Sequence, residues 1–180
     1  MPKVTLSSDW LAGCAGCHMS VLDMDERLLA ILEHVELRAT PITDLKQPDA
    51  AGVTVGMLEG SVANSATEEV ARRMRSRCKV LIALGDCAVF GGVPALRNAA
   101  CPRAALQRAY VETESTEGGF IPDDPELATI YKEVKALDQV VPVDLYIPGC
   151  PPSADVIYEA LARLLAGQPP QIPPEKLDWH

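Results

Sequence analysis

Residues 79–87 read Lys79-Val80-Leu81-Ile82-Ala83-Leu84-Gly85-Asp86-Cys87, a nearly continuous apolar run that ends on a glycine, an acid and a cysteine. A run of this length without polar alternation predicts a strand covered on both faces, as in parallel sheets. Two other apolar runs lead into cysteine loops. Val140 to Ile147 precedes Pro148-Gly149-Cys150-Pro151-Pro152, and a short run at Lys3 to Ser8 precedes Gly13-Cys14-Ala15-Gly16-Cys17. Loops that follow parallel strands converge where the carboxyl ends of the strands lie, which is where open α/β sheets put their chemistry. Four of the six cysteines are therefore expected at one edge of one sheet.

Around these runs the pattern alternates between strand and helix. Ser20 to Glu33 is predicted as a helix with Leu22, Leu28, Leu29 and Leu32 on its apolar face, started by Ser20 with Asp23 three residues on. Asp23 and Asp25 are expected near its amino end. Val35 to Ala39 and Val53 to Leu58 read as strands joined by a turn-rich segment with Pro41, Pro48 and Gly52. Ser65-Ala66-Thr67-Glu68 resembles a capping sequence for a helix to about Ser76. Pro142 marks the strand 140–147 as slow to begin or near an edge. Ser153 to Ala166 reads as a helix closed by Gly167. The sum is an α/β domain, a flavodoxin-like three-layer fold with a mostly parallel sheet over residues 1–167. Residues 99–138 form a surface excursion, with six acids and no base between Glu112 and Glu126, and the proline-rich stretch 168–180 is expected to run extended.

A chain of 180 residues can bury one full core without disulfides. Net charge is -9 and the isoelectric point is near 4.8, which repels a phosphate backbone and excludes nucleic acid as a partner. The basic group Arg72, Arg73, Arg75, Arg77 and Lys79 reads as the solvated face and carboxyl end of a helix. No apolar run reaches the length of a membrane span, and the first residues carry neither a secretory h-region nor a twin-arginine signal, so the expectation is a cytoplasmic chain without direct membrane insertion. In a reducing compartment, cysteines point to metal or redox chemistry before disulfides.

A Cys-x-x-Cys pair alone suits zinc, an iron-sulfur cluster or a dithiol. A dithiol leaves Cys87 and Cys150 unexplained, and structural zinc commonly uses two short-spaced pairs. One pair and two distant single cysteines demand a preformed fold, and a [4Fe-4S] cluster at a sheet edge exploits one; zinc and unrelated thiols stay open at this point. Gly13, Gly16, Gly85 and Gly149 would let backbone approach the cluster sulfides. Cys78, at a strand start, reads as an ordinary thiol, and Cys101 as a spare. Glu59 falls on the same edge after its strand, as a turn residue or as a proton-handling or interface carboxylate beside the cluster. His18 could meet a cluster sulfur or a partner group, and Asp86 is expected to accept backbone N–H groups in its own turn. No nucleophile and base pair, phosphate loop or dinucleotide fingerprint is present, so the chain reads as an electron relay.

Cys14-x-x-Cys17, Glu59-Gly60-Ser61, Gly85-Asp86-Cys87-Ala88 and Pro148-Gly149-Cys150-Pro151-Pro152 together resemble the small subunit of nickel-iron hydrogenases. The resemblance implies that Cys14, Cys17, Cys87 and Cys150 hold the [4Fe-4S] cluster nearest a nickel-iron centre carried by a large subunit. Many periplasmic members are longer, with two further clusters, and carry Thr-Glu where Cys17 is followed here by His18. Cys17-His18-Met19-Ser20-Val21-Leu22-Asp23 and the stretch from Asp86 to Pro94 look like the soluble NAD-linked type. Its implied partners are diaphorase subunits bearing FMN, further iron-sulfur clusters and the nicotinamide site. The cluster-bearing subunit of respiratory complex I shares the late Pro-Gly-Cys-Pro-Pro but uses adjacent cysteines. Methanogen-type and sulfur-linked hydrogenases share the relay site, and a zinc-stabilised scaffold is the reading of another class. FMN on this chain is not favoured, because only Trp10 and Phe90 offer aromatic cover near the cluster edge.

Overall fold

The central strands decide the architecture, because Val53–Glu59 (β3) and Cys78–Leu84 (β5) bury almost every residue on both faces. In the computed structural model, which describes residues 3–168, they form the middle of a five-stranded sheet. Val4–Trp10 (β1) and Val35–Leu37 (β2) extend it on one side and Leu145–Ile147 (β7) closes the other, in the order β2-β1-β3-β5-β7. Every pairing in this sheet is parallel. Counted along the chain, the five strands take the flavodoxin-like order 2-1-3-4-5, whose switch point lies between β1 and β3.

Alternation along β5 shows why three layers form. Ile82 and Leu84 join Leu6, Val55, Met57 and Ile147 against helices Gly16–Leu22 (α1), Glu26–His34 (α2) and Ala154–Leu165 (α6). Leu81 and Ala83 point the other way, into a core with Leu58, Ala71 and Met74 beneath helices Ser65–Arg77 (α3) and Gly85–Phe90 (α4). Burial of these aliphatic side chains is the main favourable contribution, at roughly 1.5–3 kcal/mol for each fully buried one.

Several local expectations are corrected. The helix expected from Ser20 begins at Gly16 and breaks at Asp23 to Asp25, where Asp25 has φ 52. Ser20 is interior, its hydroxyl donating to the Pro152 carbonyl at 2.5 Å, and the two aspartates lie in the break rather than at an amino end shared with Ser20. Asn64, not Ser65, caps α3: its side chain accepts from Thr67 N–H at 2.9 Å while Thr67 returns a bond to the Asn64 backbone. The last strand keeps only Leu145–Ile147, at the sheet edge as Pro142 suggests. Strand 35–39 shortens to Val35–Leu37, after which Arg38 and Ser8 N–H groups bond across β1 and the following chain. Residues 99–138 hold helix Pro102–Tyr110 (α5) and strand Ile130–Lys135 (β6), which pairs antiparallel with Val62–Asn64 (β4), a small second sheet that periodicity does not reveal. The six acids of this region are solvent-exposed. Gly167 follows α6 with φ 67, as expected of a terminating glycine. The stretch 169–180 lies outside the described residues, as does the expectation that it runs extended. Among the described residues, no helix is long and apolar enough to cross a membrane.

Candidate metal centre

At the carboxyl edge the loops after β1 and β3 are zipped together. Leu11 N–H donates to Glu59 O at 2.8 Å, and Ala12 and Ser61 exchange N–H···O bonds of 2.9 and 2.8 Å. Gly13 packs so closely on Gly60 that an added Cβ would lie 3.3 Å from the Gly60 Cα. The Cys14 to Cys17 segment is thereby fixed at the switch point. Cys17 then sits in the first turn of α1, and Cys87 in the first turn of α4.

Gly85 stands at the crowded centre. Its φ is +82, and a Cβ there would lie 2.2 Å from the Cys17 sulfur, so a side chain would have to displace that thiol. Across the next gap, Asp86 N–H donates to Gly149 O at 2.8 Å and Gly149 N–H returns a bond of 2.7 Å to Asp86 Oδ1. Asp86 therefore ties the Cys87 loop to the Cys150 loop, a correction to its expected place within its own turn. The sequence cannot show this because the partner is in the last strand's loop.

Cys14, Cys17, Cys87 and Cys150 line one cavity with Gly13, Gly16, Glu59, Gly60, Asp86, Gly149 and Pro151, about 380 Å³ with its open mouth included. Among the described residues, no three His, Cys, Asp or Glu side chains close on a point tightly enough for a single metal ion. Four thiols bordering one cavity suit a multinuclear cluster, and thiolate is the donor that iron-sulfur clusters take. Burial, then the charges of Glu59, Cys87, Cys14 and Cys150, push the Cys17 thiol up to about 12, so Cys17 rests as a neutral thiol and would have to give up its proton to bind a metal. Burial also raises Cys87, against the Val93 N–H that stabilises its thiolate. Cys78 lies at the opposite edge and Cys101 is exposed at the start of α5; neither lines the cavity.

Glu59 reaches the cavity wall from β3, with His18 behind it. Glu59 is 2% exposed, and its Oε2 accepts the His18 backbone N–H at 2.7 Å, supplying from β3 the cap that α1 lacks in its own sequence. This is why a local search for a capping residue misplaces the helix start. The His18 ring turns inward, not toward the cysteines: Nε2 lies 3.0 Å from Ser8 Oγ, and Nδ1 approaches Glu59 Oε2 to 2.8 Å, off the line of a good hydrogen bond. Trp10 meets the ring edge-on at 5.7 Å. Ser8 escapes a reading of the sequence, since a lone serine in a strand carries no signal until its partner is known.

The family model described as NADH ubiquinone oxidoreductase, 20 Kd subunit, matches residues 14–164. The delta subunit of the NAD-reducing hydrogenase HoxS of Cupriavidus necator is 39% identical over 175 residues, covering 95% of this chain and 83% of that subunit. A subunit of the F420-non-reducing hydrogenase of Methanothermobacter thermautotrophicus is 35% identical over 97% of this chain, which spans only 58% of that relative's length. A chain in the crystal structure of an NAD+-reducing [NiFe]-hydrogenase in the H2-reduced state superposes with a TM-score of 0.95 at 38% identity, covering 99% of this chain and 100% of that one. From its first clustered cysteine to its last helix, this chain belongs to the family of the NADH ubiquinone oxidoreductase 20 Kd subunit, among the hydrogenase small subunits.

Proposed function

We propose that the chain carries one [4Fe-4S] cluster on Cys14, Cys17, Cys87 and Cys150 and passes electrons between the nickel-iron centre of a large subunit and an NAD-linked diaphorase module, the whole assembly coupling H2 + NAD+ to NADH + H+. The observation that carries this reading is the meeting of four thiols from three loops in one cavity. A bound cluster supplies a one-electron donor and acceptor. The chain's own residues hold and shield it: the Gly13, Gly60 and Gly85 backbone allows close approach, Asp86 clasps two of the ligand loops, and Glu59 is the carboxylate whose charge reaches Cys17. Hydrogen chemistry is assigned to the large subunit.

In the segment that follows Cys87, Phe90, Val93 and Leu96 expose 61%, 65% and 74% of their area, apolar surface suited to a permanent subunit contact. The large subunit is assigned to this side. Diaphorase subunits carrying FMN and further clusters then take the electrons, and FMN is placed there rather than on this chain. Dependence on nicotinamide implies a cytoplasmic assembly. The likeness to F420-non-reducing hydrogenases supports a second reading, in which the same relay serves an acceptor other than NAD.

Anaerobic purification of the complex, followed by iron analysis, a visible spectrum and EPR after reduction, tests the proposal. A brown protein whose signal disappears in Cys150→Ser is expected. A colourless protein holding zinc, or an unaltered cluster signal in that variant, defeats it. Hydrogen-dependent reduction of NAD, measured against other acceptors, separates the two readings.

A further inference from the structure

Ser8, His18 and Glu59 form a buried polar line that runs from β1 through the first turn of α1 to the end of β3. Its members are 5%, 9% and 2% exposed, and the first two border an apolar cleft. A hydroxyl in such a place is costly unless it is used. Here it is used to orient a ring. Ser8 Oγ and His18 Nε2 lie 3.0 Å apart, and this contact holds the ring with Nδ1 2.8 Å from Glu59 Oε2. Although not aligned for a hydrogen bond, the Nδ1 edge of the ring stands against the carboxylate whose charge acts on Cys17.

We propose that Ser8 is a positioning residue of the cysteine site: by holding the His18 ring against Glu59 it masks part of the carboxylate's charge and so raises the reduction potential of the cluster. The inference rests on the four-cysteine reading and deepens it. Negative charge near a cluster lowers its potential, so the three side chains act with different signs. Removing the Glu59 charge raises the potential. Freeing or removing the ring uncovers that charge and lowers it. Neither change touches a ligand sulfur.

An EPR-monitored redox titration of the complete anaerobic complex, with iron counted in parallel, tests this. Ser8→Ala and His18→Gln are expected to shift the midpoint downward with iron retained, Glu59→Gln to shift it upward, and Ser8→Thr, which keeps the hydroxyl, to stay at the starting value. In the Glu59→Gln background, Ser8→Ala is expected to add no further shift, whereas a merely mechanical effect of the serine would persist there. An unchanged midpoint in Ser8→Ala, equal shifts in Ser8→Ala and Ser8→Thr, or a persistent shift in the double variant overturns the proposal. If Ser8→Ala fails to assemble, the opposite signs of His18→Gln and Glu59→Gln decide it, and shifts of the same sign overturn it. Absence of a cluster from the unmodified complex would defeat the function proposed above and not this inference alone.

Discussion

The two edges of the sheet put the same residue types to opposite uses. At the carboxyl edge, cysteines border a cavity framed by glycine backbone, with a buried glutamate behind them. At the amino edge, Cys78 is 8% exposed and fills the space over Gly56 beside Met74, its thiol pushed up by burial. Each edge also has an aspartate that accepts a backbone N–H of a neighbouring segment at 2.7 Å: Asp86 from Gly149, and Asp144 from Leu81. Asp144 is further paired with Arg75, whose guanidinium also donates to the Cys78 and Lys79 carbonyls at 2.8 and 3.0 Å. A thiol's role is therefore set by what surrounds it. Apolar side chains make it packing, whereas open backbone and other thiols leave it free to serve as the ligand proposed above.

The sharpest way to break this contrast is a pair of serine substitutions. Cys150→Ser should remove most cluster iron and the reduced-state EPR signal, whereas Cys78→Ser should leave both intact and cost about 1–3 kcal/mol in urea unfolding, from an under-bonded buried hydroxyl. Equal loss of iron would erase the difference between the edges. Methyl groups give a second pair. Gly85→Ala combines a left-handed backbone penalty of about 1–2 kcal/mol with a collision at the Cys17 sulfur, so iron loading should fall sharply. Gly56→Ala places a Cβ 2.9 Å from the Cys78 sulfur and the Met74 Cγ; overpacking should cost about 1–3 kcal/mol while iron content holds. Asp86→Ala strands the Gly149 N–H and should cost about 1–3 kcal/mol, with faster hydrogen exchange at Gly149.

The smallest effect expected is at Asp144. Desolvation opposes ionisation there, but the Leu81 N–H and the Arg75 guanidinium outweigh it and hold the carboxyl below its ordinary 3.8. The stability this contributes is present above that ordinary value and is lost as pH falls through the lower folded value. Since the side chain is 45% exposed, solvent screens the pair. Asp144→Asn should thus flatten the acid limb of the stability curve slightly, as read by urea unfolding between pH 5 and about pH 2. A steeper acid limb would reverse the sign assigned to this group.

Elements with a strong apolar signal are legible in the sequence: β3, β5 and α6 fall close to their expected spans, and the three cysteine loops follow the strands expected to lead into them. What the sequence hides is whatever depends on a distant partner. The start of α1 relies on a carboxylate from β3, so Ser20 imitates a cap without being one. Asp86 reaches a loop that follows the last strand, and Ser8 has meaning only beside His18. β4 has only three residues and β6 six, paired across intervening helices, and periodicity has little hold on such short strands.

The position of β7 also dictates a schedule. Three of the clustered thiols leave the ribosome well before Cys150, and the fourth arrives only when the outermost strand docks on β5. Long-range parallel pairing is slow to form. If the four thiols hold iron as proposed, iron delivered to a half-made chain would meet an incomplete set of donors, maturation would wait for the scaffold, and β7 would serve as its timekeeper.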